Sequence, residues 1–184
     1  MPEITIVRHA QTEYNKAGIF AGRTDCNITE EGRSLAKEVF TNGESFDVIY
    51  CSHLKRTHQT LEAMLPGSKF IIDERIAEMD LGDWEGQAKS NFSEDLIKKY
   101  RSGEFTPPNA ETIKDVDKRV CEFFEEIFEK YQGNEKILVV THNGVVRAVR
   151  RNFKNDFSTD GSKNLEKITI TNQDYKEYIE RNKK

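Results

Sequence analysis

Histidine is scarce in this sequence, four residues in 184, and cysteine is scarcer still at three. The cysteines, Cys26, Cys51 and Cys121, are odd in number and show no C-x-x-C spacing. Neither a disulfide framework nor a cysteine-built metal site is therefore expected, and reduced thiols are. A basic excess is also missing: 28 Lys and Arg stand against 32 Asp and Glu, for a net charge of −4. That excludes the broad cationic face of a nucleic-acid binder, although a local arginine cluster can still hold a small anion. No apolar run approaches the roughly 20 residues of a membrane span. The opening "MPEITIV" has no basic segment ahead of an apolar one, so a signal peptide is not expected and a cytoplasmic location is. What is present, 36% hydrophobic and 33% charged residues, suits one soluble domain over residues 1–184 with a substantial core.

Short apolar runs alternate with helical spacing along the chain. Residues 3–8 (EITIVR), 47–52 (DVIYCS), 69–73 (KFIID) and the run KILVVT ending at Thr141 read as strands, and KITIT near the C-terminus as a last one, paired with YKEYI. Helices are expected over about 30–40 behind Thr29, from Leu54 to Leu65, from Ser93 to about Arg101, from Thr112 to Tyr131 and from Val145 to about Phe153. Residues 74–92 read as a loop around Trp84. Strand–helix alternation predicts an α/β fold: a single three-layer domain with a largely parallel central sheet and helices on both faces.

In such sheets ligands bind beyond the carboxyl ends of the strands. Here "ITIV" ends in Arg8 and His9, "ILVVT" in His142, and "VIYCS" runs shortly into Arg56. If these strands are parallel neighbours, two arginines and two histidines converge. Guanidinium forks match phosphate oxygens, and nearby cations keep an imidazole neutral and nucleophilic. Phosphoryl transfer asks mainly for positioning and charge stabilisation, which this set supplies without a metal. The acidic loop "RIAEMDLGDWEG" offers Glu78, Asp80, Asp83 and Glu85 as proton donors, unless these acids merely solvate it.

Taken in order, the motifs resemble those of the histidine phosphatase superfamily, which includes the cofactor-dependent phosphoglycerate mutases. "RHAQTEYN" is similar to R-H-G-[E/Q]-[S/T]-x-x-N, and "FAGRTDCNITEEG" to the segment that follows it. "CSHLKRTHQT" is similar to S-S-P-L-x-R-A-x-Q-T, and "EMDLGDWEG" to E-x-x-x-G-x-W-E-G. "PPNAET" with "DVDKRV" resembles P-x-G-E-S and D-V-x-x-R, and "VVTHNGVVRAV" the strand bearing the second histidine. The resemblance implies that His9 attacks phosphorus, that Arg8, Arg56 and His142 bind its oxygens, and that Glu78 protonates the leaving group and then activates water. It extends the phosphate- and substrate-binding set to Asn15, Gly22 and Asn143, with Asn15 alternatively a plain turn residue. No metal and no cofactor are implied, and the partner is a small phosphorylated metabolite.

Three positions depart from the pattern: Ala10 and Asn143 replace glycines, and His53 replaces proline. Ala10 is expected to tighten the turn behind His9. His53 and His58 are expected at the surface, Trp84 as a core anchor and Cys51 as a buried thiol. Lys89 and Arg101 are expected in solvent rather than on a second anionic group. The resemblance implies that mutases of the family carry a longer insertion here, with paired arginines, and a shielding C-terminal tail. The segment after Gly86 is short, without an arginine pair, and "ERNKK" makes a poor lid, so hydrolysis is expected over transfer. The alternatives are a bisphosphate-primed mutase and a non-catalytic phosphate-binding module.

Overall fold

Period-two alternation organises the sheet. In β1 (Glu3–Arg8) and β4 (Lys136–Thr141), Ile4, Ile6, Ile137 and Val139 enter one apolar cluster, while Val7, Leu138 and Val140 enter the other. Strands apolar on both faces need cover on both sides, and helices provide it. The computed structural model describes residues 2–183. It joins β1 and β4 to β2 (Val48–Cys51), β3 (Ile71–Ile72) and β5 (Lys167–Ile170) in the order β3-β2-β4-β1-β5. All neighbours are parallel except β5, which runs antiparallel to β1. The α/β three-layer fold expected from the sequence is the one observed, as a single domain.

One face carries α2 (Glu30–Ala36) and α3 (Lys55–Met64), which contribute Ala36, Leu61, Ala63 and Met64. The other carries α5 (Ile113–Lys130), α6 (Asn143–Phe153) and α7 (Asn172–Asn182). In α5 a capping box between Thr112 and Asp115 starts the helix, and Val116, Val120, Phe123, Phe124, Ile127 and Phe128 are all buried along one stripe. Helix α4 (Glu94–Ser102) begins at Ser93 and stops at Gly103, whose φ of 84° is the left-handed C-cap geometry glycine favours. Trp84 is buried beside Phe20, Phe92, Tyr100 and Phe105, anchoring the long loop to the core as expected.

Several boundaries differ from the sequence reading. YKEYI is not a strand: Thr171 and Asp174 form a capping box that starts α7, and Tyr175, Tyr178 and Ile179 then pack on the core at helical spacing. Helix α2 ends at Ala36, and the chain continues through Glu38 and Val39 in i→i−3 bonds. The strand expected at 69–73 shrinks to Ile71–Ile72, an exposed edge pairing only with Tyr50 and Cys51. A short helix α1 (Glu13–Ala17), capped by Thr12 and Asn15, lies in what reads as polar loop. Among the described residues no helix is long and apolar enough to cross a membrane.

Candidate active site

The parallel register places Arg8 opposite Thr141, so β1 and β4 deliver Arg8–His9 and Thr141–His142 to one sheet edge, with Ser52 beyond the end of neighbouring β2. Helix α3 adds Arg56, and a cavity of about 130 Å³ opens there, lined by Arg8, His9, Asn15, Gly22, Arg56, Glu78 and Asn143 among others.

His9 is 3% exposed. Its Nδ1 lies 2.7 Å from the Ala10 carbonyl, which can only accept, so Nδ1 carries the proton and the lone pair sits on Nε2. Burial, then Arg8, then Arg56 push its pKa well below the usual histidine value, so the ring is neutral. Ala10 does not crowd the pocket. Its N–H reaches Thr60 Oγ1 at 2.9 Å, and its methyl joins the α2–α3 core cluster, so the expected tightening behind His9 is absorbed by packing.

Arg56 is 1% exposed and tied on three sides. Nε donates to His142 Nδ1 at 3.2 Å, Nη1 to the Thr24 carbonyl at 3.0 Å and Nη2 to the Gly22 carbonyl at 2.6 Å. Of its five N–H groups two are left for a ligand. Gly22 is required where it stands. Its φ is 49°, and a Cβ there would lie 2.0 Å from Glu85 Oε1. Arg8 donates Nη1 to the Ser162 carbonyl, while its buried Nε has no acceptor among the described residues.

His142 sits differently from the expectation. It is fully buried, its Nδ1 accepts from Arg56, and its Nε2 therefore donates to Ser52 Oγ at 2.8 Å. Its ring centroid lies 5.2 Å from that of His9. In this arrangement it backs Arg56 rather than lining the cavity. Burial and the neighbouring cations hold it neutral as well.

Of the four acids in the loop, only Glu78 faces the site. Its Oε1 accepts from the backbone N–H groups of Met79 and Gly144, both at 2.9 Å, which leaves Oε2 for chemistry. Asp80 caps Gly82, Asp83 holds Asn109, and Glu85 ties together Arg23, Thr24 and Leu81. The PPNAET and DVDKRV motifs also find a use. Glu111 pairs with Arg119, which donates to the carbonyls of Arg75, Ala77 and Glu78 and so braces the acid's own backbone.

His9, Glu78 and His142 place ligand-type atoms within 4.8 Å of one another. With two guanidiniums beside them and the His142 nitrogens both engaged, the cluster suits an anion better than a cation. Asn15 caps α1 through Oδ1, as a turn residue would, and it also lines the cavity. His53 is exposed as expected, whereas His58 is half-buried, bonded to the Ser52 carbonyl and packed on Phe70. Cys51 is fully buried, and desolvation pushes its thiol up to about 12, so it is an inert core residue.

The expectation of solvent fails for Lys89, which is half-buried on the cavity wall with its pKa lowered by burial and by Arg8 and Arg101. Arg101 is exposed but forms part of the rim, and Arg147, which sequence reading passed over, lines the wall from α6. Its position four residues after Asn143 was the available signal, one turn along the helix that starts at the site.

Comparison with known proteins points to one family. The family model of the histidine phosphatase superfamily (branch 1) matches residues 4–177. A 2,3-bisphosphoglycerate-dependent phosphoglycerate mutase of Azorhizobium caulinodans is 35% identical over 79% of this chain and 78% of its own. A Hydrogenobacter thermophilus protein provisionally named phosphoserine phosphatase 2 is 34% identical over 81% and 77%. Among solved structures, a mycobacterial glucosyl-3-phosphoglycerate phosphatase complexed with VO3 superposes with a TM-score of 0.82 at 22% identity, covering 92% of each chain. By family model, by relatives and by fold, the chain belongs to the histidine phosphatase superfamily.

Proposed function

We propose that the protein is a phosphomonoesterase acting on a small phosphorylated metabolite through a phosphohistidine on His9, with no metal in the mechanism. The observation that carries this reading is the His9 ring, fixed as the Nδ1–H tautomer by the Ala10 carbonyl and kept neutral by burial beside two arginines. Nε2 attacks phosphorus and the P–O ester bond breaks. Arg8 and Arg56 hold the non-bridging oxygens, where charge is concentrated. Glu78 gives its proton to the departing alkoxide. Water then attacks the phosphohistidine, Glu78 takes the proton of that water, and phosphate leaves with His9 restored.

The test is p-nitrophenyl phosphate hydrolysis between pH 5 and 8 with EDTA present, for wild type and His9→Ala. Turnover that survives EDTA and disappears in the variant supports the reading. Turnover abolished by EDTA overturns it.

A mutase reading has two observations of its own, the 35% identical relative and the Lys89, Arg101 and Arg147 wall. It predicts phosphoglycerate interconversion that depends on a bisphosphate primer, and hydrolysis without primer argues against it.

A further inference from the structure

The connection between α6 and β5, residues 154–166, is exposed from Lys154 to Gly161 and again at Lys163, yet Ser162 between them is only 4% exposed. Its one buried residue is bonded at both ends of its peptide unit. Ser162 N–H and Oγ–H donate to Asn143 Oδ1 at 2.8 and 3.1 Å, and its carbonyl accepts from Arg8 Nη1. Downstream, Asn164 Nδ2 donates to the His9 carbonyl at 2.9 Å and to Asn15 Oδ1 at 3.2 Å, and Leu165 N–H donates to the Arg8 carbonyl at 3.1 Å. Leu165 holds a φ of 62°, a left-handed conformation that a branched residue keeps only where surrounding contacts enforce it.

From the bridge Asn143–Ser162–Arg8 we infer that Asn143 is a positioning residue: it latches this loop so that the Ser162 carbonyl holds the Arg8 guanidinium at the angle phosphate requires. Asn143 stands where the motif that the sequence resembles has glycine, which has no side-chain acceptor to offer. Its Oδ1 is given wholly to Ser162, so its main effect passes through the loop. Without the brace, Arg8 is drawn by the carboxylates it feels most, those of Glu78 and Glu166. Pairing with Glu78 would occupy the group proposed as proton donor. The inference rests on the phosphatase reading only in taking Arg8 as a phosphate ligand.

The test needs no turnover. Inorganic phosphate is titrated against wild type, Asn143→Ala, Arg8→Gln and the double variant, reading backbone amide shifts so that millimolar constants are measurable. Hydrogen exchange over residues 157–165 is followed on the same samples. The expected result is faster exchange and phosphate affinity weakened on the order of tenfold in Asn143→Ala, the scale of one charged hydrogen bond. In the Arg8→Gln background, Asn143→Ala should then change affinity less than about twofold, because the residue through which it acts is gone. Asn143→Asp keeps the acceptor and should restore slow exchange even where its charge opposes phosphate. Equal weakening in both backgrounds would mean that Asn143 binds phosphate itself, and unchanged exchange would mean no latch; either overturns the proposal. Should Asn143→Ala fail to fold, Ser162→Ala removes one of the two bonds and carries the same comparison. Absence of phosphatase activity with the latch result intact would remove the functional reading and leave this one standing.

Discussion

The floor of the cavity and its wall both carry cationic side chains but differ in how firmly most of them are held. On the floor, Arg56 spends three N–H groups on fixed acceptors, Arg8 is tied to Ser162, and Glu78 is gripped by two backbone amides. On the wall, Lys89 lies over the Phe20 ring and Arg147 donates to the Arg101 carbonyl, and among the described residues none of Lys89, Arg101 and Arg147 is paired with a carboxylate. Rigid donors suit a transition state whose charge appears at one place; unpaired cations on a wall suit whatever second anion a substrate brings. Under the proposed phosphatase reading, the contrast divides the residues assigned to the chemistry from those assigned to substrate selection.

Breaking the floor should cost most. His9→Ala should lower kcat by at least on the order of 10³-fold, since it removes the proposed nucleophile itself. Quench-flow with acid-stable and acid-labile phosphate assays would check it, and a labile phosphoenzyme surviving in the variant would contradict it. Glu78→Gln comes next, with kcat down roughly 10²- to 10³-fold and inorganic phosphate affinity changed little. Gln keeps an oxygen for the Met79 and Gly144 amides, so the loop should hold. A leaving group that needs no proton, such as p-nitrophenolate, should lose less than an alkyl phosphate does.

Much of the floor was legible from the chain because its residues sit at strand ends. Arg8 and His9 follow directly from a β-branched run, and His142 from an apolar one. The choice of Glu78 over Asp80, Asp83 and Glu85 was legible only through resemblance. Physically it depends on the Gly144 amide, which comes from a helix far along the chain. The Ser162 loop left no local signal, because its anchor is a long-range bond made by a single serine in a polar stretch. YKEYI reads as a strand on its aromatic and β-branched content, but Tyr175, Tyr178 and Ile179 fall at i, i+3 and i+4, and the Thr171–Asp174 capping box that starts α7 is the better local cue. Lys89 shows the limit of composition: a lysine among polar residues reads as solvent-exposed until the fold puts Phe20 and Arg8 beside it.

Sharpening the wall calls for substrates that differ in a second charge. Lys89→Ala should raise KM for phosphoserine or 3-phosphoglycerate roughly tenfold, the scale of one hydrogen bond to a charged group, and should affect p-nitrophenyl phosphate much less. Equal losses on all three would place Lys89 on the phosphoryl group and dissolve the distinction between wall and floor.

The smallest effect tests whether the floor is as desolvated as its geometry implies. His9 and His142 both have folded-state pKa values pushed down, chiefly by burial, whereas in the unfolded chain they titrate near the usual value of about 6.5. Above that value both states are neutral and neither histidine makes stability pH-dependent. As pH falls below it, the unfolded chain takes up protons that the native site refuses, so stability drops. The slope is about 1.4 kcal/mol per pH unit for each histidine until its folded pKa is reached. Urea unfolding at pH 7, 6 and 5.5 should show this loss in wild type, and His142→Gln should reduce the slope by about one proton. Saturating phosphate should raise the midpoint at pH 7 by binding the native floor alone. A slope unchanged in His142→Gln would mean that water reaches the ring in solution, and the floor would then be as adaptable as the wall.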